Sequence, residues 1–317
     1  MKKFVTKVLL LLGLVILMWA IIITLDFWVV GNQYLNNYQA SILDKTNRAE
    51  SIGSKKILLI GNSNVSFGFD SELLEKELAL PVVNMGIHSG LSNAFQEDMA
   101  KPYISEGDIV LLCHNSFNDG YIIRDPSLAW ITIEKHMELW PIIRECNKID
   151  MLKAYPLYAL NCLMLSISGK GNKVEDSCYS RQAFNEYGDV IYRPDFEKRP
   201  ASTIFYNGAI KVPSVTEDTV ERINDFNDFC LSRGALLLVV GYPIAYGEYT
   251  PSKEEYIEFQ NMLSGYLQCP VISDYTDYFI PYDYFYNTIY HLTEEGTKIR
   301  TIQTVKDVKR YLSMSEQ

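Results

Sequence analysis

Short apolar runs alternate with helical patterns along most of this chain, as in a mostly parallel sheet flanked by helices. Ile57-Leu58-Leu59-Ile60 is an apolar run closed by Gly61, which predicts a buried first strand. Asp70 or Ser71 can open a helix over 72–78. Pro81 to Gly86 reads as a second strand, followed by a helix from about Ser92 to near Pro102. Asp108 to Cys113 predicts the third strand. From Trp130 to Ser166 the pattern is largely helical, with breaks expected at Pro141 and Pro156.

Between Gly169 and Pro213 no period is sustained, and Gly-Lys-Gly-Asn, Arg-Pro-Asp and Lys-Arg-Pro clusters predict an extended insertion on the C-terminal rim of the sheet. Regular structure resumes at Ser214, where Ser214 and Glu217 are spaced as a capping box. Val220, Ile223, Phe226 and Cys230 recur at helical spacing, and Gly234 supplies the stop. A buried strand over 235–240, a helix from about Lys253 to Leu267, a short strand at Val271-Ile272 and a last helix from Thr293 to about Leu312 complete the series. The expected fold is α/β: a three-layer α/β/α, doubly wound, mostly parallel sheet.

The N-terminal segment follows another pattern. Val8 to Leu25 is uncharged and almost wholly apolar over 18 residues, preceded by Lys2, Lys3 and Lys7. About 20 apolar residues span a bilayer, and basic flanks stay on the cytoplasmic side. A cleavable signal peptide competes, but its apolar region is usually about 7–15 residues with a small-residue cleavage site. Here the run continues into Asp26-Phe27-Trp28, and Trp28 suits the membrane interface. The expectation is a single-pass anchor in the cytoplasmic membrane, N-terminus inside, over 1–30. A polar stem over 31–54 and an extracytoplasmic domain over 55–317, with its insertion at 169–213, would follow. The domain is long enough for one substantial core.

With Lys2, Lys3 and Lys7 set aside from the 29 basic residues, 26 remain against 39 acidic ones. That balance argues against nucleic acid as a partner. The six cysteines include no C-x-x-C pair, so metal-ligand spacing is absent and no cofactor is implied; at most one or two disulfides are expected. Eleven of the 22 tyrosines lie between Tyr242 and Tyr290. They suit either stacking on sugar faces or packing of the segment itself.

Strands in doubly wound sheets aim their C-terminal ends at the ligand crevice. Here those ends carry Gly61-Asn62-Ser63-Asn64, then Asn84-Met85-Gly86-Ile87-His88, then His114-Asn115-Ser116. Near the C-terminus, His291 stands just before a helix that Thr293 can cap. Serine is a poor nucleophile without a base in hydrogen-bond reach, and His291 is the candidate for that base. His88 and His114 are rivals; His136 lies in a helical apolar pattern and reads as structural.

In this order the blocks resemble those of the SGNH (GDSL-like) hydrolase superfamily. The resemblance implies Ser63 of Gly61-Asn62-Ser63 as nucleophile and His291 as base. It also implies an oxyanion hole formed by the Gly86 N–H and the Asn115 side chain, with Asn118 as rival to Asn115. It is closest to membrane-anchored members linked to acylation of cell-surface polysaccharide or teichoic acid, through the ending Tyr290-His291-Leu292, Gly296, Arg300-Thr301. A serine esterase or O-acyltransferase acting on acyl, above all acetyl, groups of a cell-surface glycan is then expected, in company with a membrane acyltransferase. The alternative is a catalytically silent scaffold that binds glycan or acyl carrier. The family commonly places an aspartate three residues before the histidine, where this chain has Thr288. Asp283 is the tentative acid, with Asp277 and Asp274 as alternatives, or Ser63 and His291 act as a dyad. In block three, Cys113 replaces the usual glycine.

Overall fold

The structure is a computed structural model describing residues 1–118 and 120–315. Four parallel strands form the main sheet in the order β2-β1-β3-β4: β1 (Ile57–Ile60), β2 (Val82–Asn84), β3 (Ile109–Leu112) and β4 (Leu236–Val239). A parallel bridge from Val239 to Val271 extends the order by one short segment, giving the doubly wound arrangement. A small parallel pair, β5 (Ile244–Tyr246) with β6 (Phe279–Pro281), was not legible in the sequence.

Eleven helices accompany the strands among the described residues. They are α1 (Lys2–Trp28), α2 (Ser41–Ser51), α3 (Ser63–Ser66), α4 (Ser71–Leu78), α5 (Asn93–Ala100), α6 (Pro126–Thr132), α7 (Glu145–Ser168), α8 (Ala201–Ile204), α9 (Glu217–Ser232), α10 (Lys253–Tyr266) and α11 (Glu294–Ser315). Alternate strand residues face opposite sides of the sheet. Leu58, Ile60, Val110, Leu112, Leu237 and Val239 join one core with Ile42, Phe95, Ile223 and Phe226 from α2, α5 and α9. Ile57, Leu59, Ile109, Leu111 and Leu238 join a second core with Leu74 of α4 and Val305 and Val308 of α11. Strands buried on both faces need the continuous apolar runs seen in the sequence.

Three local expectations are corrected. The stem is folded: residues 41–51 form α2, whose Ile42 and Ala49 join the core. α7 runs unbroken through Pro156. The N-cap of α9 is Thr216, without a side-chain cap bond, so the Ser214–Glu217 box does not form. The six cysteines are all unbridged. Of the tyrosines from 242 onward, Tyr242, Tyr256, Tyr275, Tyr278 and Tyr286 are buried, as packing of the segment requires.

The 27-residue α1 is long and apolar enough to cross a membrane. Its last turn is built into the domain: Asp26 is fully buried, with Oδ2 at 2.9 Å from Lys135 Nζ and accepting from the Tyr155 hydroxyl at 2.8 Å. The 169–213 segment is irregular, as expected. It closes over the ends of β1 and β2 through the Val190 N–H on Ser66 O (2.8 Å) and the Asn84 N–H on Tyr187 O (2.9 Å).

Candidate active site

β1 ends at Ile60, and the chain turns at Gly61, where an added Cβ would meet Val65 Cγ2 at 2.5 Å and Cys113 O at 3.1 Å. Only a residue without a side chain lets the turn pass this close to the end of β3. Asn62 then caps the single turn α3: its Oδ1 accepts from the Asn64 N–H at 2.9 Å. Ser63 is the first residue of that turn and half-buried. In this position its N–H has no intrahelical acceptor.

Asn115 follows β3 and is buried. Its Oδ1 accepts from Asn62 Nδ2 at 2.6 Å, which leaves the Asn115 Nδ2 group as the donor beside the Ser63 turn. Asn118 lies exposed, its Oδ1 accepting from the Ser116 hydroxyl at 2.8 Å; its neighbour Asp119 lies outside the described residues. Asn115 rather than Asn118 is therefore joined to the Ser63 turn, through its cap residue Asn62.

Gly86 holds a different place from the one expected. Its N–H donates to Asn84 Oδ1 at 2.9 Å, and its carbonyl accepts from the Ser66 hydroxyl at 2.7 Å. An N–H already bonded to a side-chain carbonyl is not poised for an oxyanion. The glycine is needed for closeness, since a Cβ would meet Ser66 N at 2.5 Å. The donors left for an oxyanion are Asn115 Nδ2 and the Ser63 N–H.

The C-terminal block converges on the same turn. The Leu292 N–H donates to Phe67 O at 3.3 Å, and the His291 ring stacks on Phe67 with centroids 4.0 Å apart and planes within 5°. Arg193, from the 169–213 segment, clamps this junction by donating to Leu292 O at 3.0 Å and Phe67 O at 3.4 Å. Arg300 donates to Asn64 O at 2.6 Å, and Thr301 Oγ1 accepts from the Asp70 N–H at 3.0 Å. The distant Arg300-Thr301 pair thus fastens the last helix to the serine turn.

His291 is buried, and its Nδ1 lies 2.9 Å from Asn287 Oδ1. An amide oxygen can only accept, so Nδ1 carries the proton and Nε2 offers its lone pair. Asn287 is held in this sense by donating from Nδ2 to the Tyr179 hydroxyl at 3.1 Å. The acid place expected for Asp283 is therefore taken by Asn287. Asp283 is exposed, Asp274 caps Thr276 (2.9 Å) and Asp277 accepts from Gln303 (3.1 Å). Burial pushes the His291 imidazole down to about 3, with further lowering by Arg193 and His88. The ring is neutral across the physiological range.

Of the rival bases, His88 accepts the Gly90 N–H on Nδ1 at 3.0 Å, and burial lowers its pKa. His114 is buried with its Nε2 2.9 Å from Glu97 Oε1, which also meets Arg222; this is an ion cluster inside the protein. His136 precedes a 3-10 turn and bonds Glu138 at 2.8 Å. Nothing in the sequence marks Phe67 and Arg193 as members of the site. Asn287 is marked only by its spacing, four residues before His291, and as an amide it carries no charge to stabilise an imidazolium.

No protein-family model, curated protein or solved structure matches this chain. Its functional reading rests on the geometry of the site.

Proposed function

We propose that the protein is a membrane-anchored serine acyltransferase or esterase acting on acyl groups of a glycan outside the cytoplasmic membrane. The observation that carries this is the union of the two ends of the chain. The Ser63 turn and the His291–Asn287 pair are joined through Phe67, and the buried amide of Asn115 is bonded to Asn62, the residue that caps the Ser63 turn. In this reading Ser63 Oγ attacks the acyl carbonyl while its proton passes to His291 Nε2. The tetrahedral oxyanion meets Asn115 Nδ2 and the Ser63 N–H. The alkoxide leaving group takes the proton from Nε2, and the acyl group stays as an ester on Ser63. A sugar hydroxyl or water then attacks that ester through the same base.

Asn287 favours transfer over hydrolysis. An amide that accepts from Nδ1–H holds the imidazole in the right tautomer but lends no charge to the imidazolium that forms, which slows attack on the acyl-enzyme by water. Slow hydrolysis preserves an acyl-enzyme until an acceptor binds. The same amide fits the silent-scaffold reading, and one experiment separates the two. A fluorophosphonate probe should label the full-length protein, and labelling should vanish in Ser63→Ala alone among serine variants. Equal labelling of wild type and Ser63→Ala, or none in either, leaves the scaffold reading. The orientation, with Lys2, Lys3 and Lys7 inside, belongs to this proposal too.

A further inference from the structure

α7 is apolar on both of its sides. Met151, Tyr158, Ala159 and Cys162 are buried against the protein, while Leu157, Met164 and Ile167 are 56, 58 and 73% exposed. These three share one face of the helix, and no residue from Ala154 to Ile167 is charged. The outer face also exposes the uncharged polar Asn161 and Ser166, so it pairs three large apolar side chains with no charge, a composition suited to the interface of an apolar medium.

The anchor helix indicates which medium. α1 packs on α7, and the part of α1 covered by the protein starts at Trp19 and includes buried Ile22 and Asp26; everything before Trp19 stands exposed. The uncharged run of α1 ends at Leu25, which puts the hydrocarbon boundary near that residue. Trp19 lies six residues deeper, about 9 Å at the rise of an α-helix. The elements that cover α1 between Trp19 and Asp26 therefore reach below the boundary. A cavity of about 280 Å³ at the α1–α7 junction, walled by Phe27, Lys135, Leu152, Tyr155 and Tyr158 among others, sits at that boundary.

We propose that the Ala154–Ile167 stretch of α7 lies in the leaflet into which α1 emerges, with its outer face covered by lipid acyl chains. The domain is then held on the membrane by two elements, which fixes its tilt as well as its tether. This rests on reading α1 as a retained anchor. The occupant is lipid rather than a second copy because α7 packs against the part of α1 that enters the bilayer in this reading.

The test uses the full-length protein in vesicles of phosphatidylcholine and phosphatidylglycerol. In a Cys146→Ser background, which removes the exposed cysteine, single cysteines replace Leu157, Met164 or Ile167 and carry a small environment-sensitive fluorophore. Leu14→Cys in α1 and Leu231→Cys on the exposed side of α9 are the references. Brominated acyl chains should quench the three α7 labels and the Leu14 label several-fold more than aqueous iodide does, with the order reversed at Leu231. If Leu14 is in lipid but the α7 labels respond to iodide as Leu231 does, the anchor stands and the proposal falls. Shielding of the α7 labels from both quenchers means that a second copy covers the face, which also overturns it. Loss of Leu14 from the mature chain with α7 quenched by iodide ends both readings; α7 still quenched by lipid would uphold the proposal without the anchor.

Discussion

At the scale of single residues, the site depends on what faces His291. Ser63, Asn115 and His291 were legible because each sits at the end of a strand or before a helix, where a doubly wound fold brings residues together. Gly86 was legible as a necessary glycine but not as a tied donor, since no pattern shows which acceptor an N–H will meet. The orienting group is the amide of Asn287, which takes the hydrogen-bonding position that a carboxylate would hold. Asn287→Asp should therefore raise hydrolysis of an activated acetyl ester by about 10²-fold or more. The carboxylate would favour the imidazolium and move the His291 pKa upward. Because the wild-type ring stays neutral down to about 3, its rate should be flat from about pH 8 to about pH 5, where a free imidazole would lose base function below about 6.5. The Asp variant should acquire an acid limb within that window. An inflection near 6.5 in the wild type, or a slower Asp variant, would show that Asn287 does not set the properties of the base.

At the scale of elements, the longest departures from the sequence reading are α2 and α7. α2 has few apolar positions, and its inward face includes a lysine, which reads as solvent-exposed in any pattern. Lys45 is buried, donating to the carbonyls of Asn84 at 2.9 Å and Gly188 at 2.6 Å. It ties the N-terminal segment and the 169–213 segment to the end of β2, next to Asp189, which accepts from Asn84 Nδ2 at 2.7 Å and from the Ser71 hydroxyl at 2.6 Å. Burial pushes the Lys45 amine down and the Asp189 carboxyl up, so neither group gains from standing alone. Lys45→Met leaves two buried carbonyls without donors and should cost about 2–4 kcal/mol in denaturant unfolding. A change below about 0.5 kcal/mol, typical of a surface site, would show that the amine does not hold these segments together. The unbroken α7 departs for a different reason. Proline is costly inside a helix because it removes one hydrogen bond and crowds the preceding turn, but packing on α1 and against Trp130 holds the helix on both sides of Pro156.

At the scale of the whole molecule, the sheet was readable because strands buried on both faces have to be continuously apolar. The relation between α1 and the rest of the domain was not, because it depends on an ion pair between residues more than a hundred positions apart. Asp26 lies fully buried at the end of α1, bonded to Tyr155 and paired with Lys135, which keeps about 20% of its side chain exposed and also donates to Asp26 O at 2.7 Å. A helix joined to the fold in this way is part of the domain, and its removal after residue 25 would strip the apolar cover from α7. The pair also makes an asymmetric prediction. Lys135→Met removes the cation paired with Asp26 among the described residues and leaves a carboxylate buried with one hydroxyl, which should destabilise the full-length protein by about 3–5 kcal/mol. Asp26→Asn leaves Lys135 free to reach water and keeps an acceptor for Tyr155, so its cost should be nearer 1 kcal/mol. Thermal unfolding of both variants in detergent micelles measures the difference. Equal effects, or a costlier Asp26→Asn, would mean that the ion pair does not join α1 to the domain and that α1 is held by apolar packing alone.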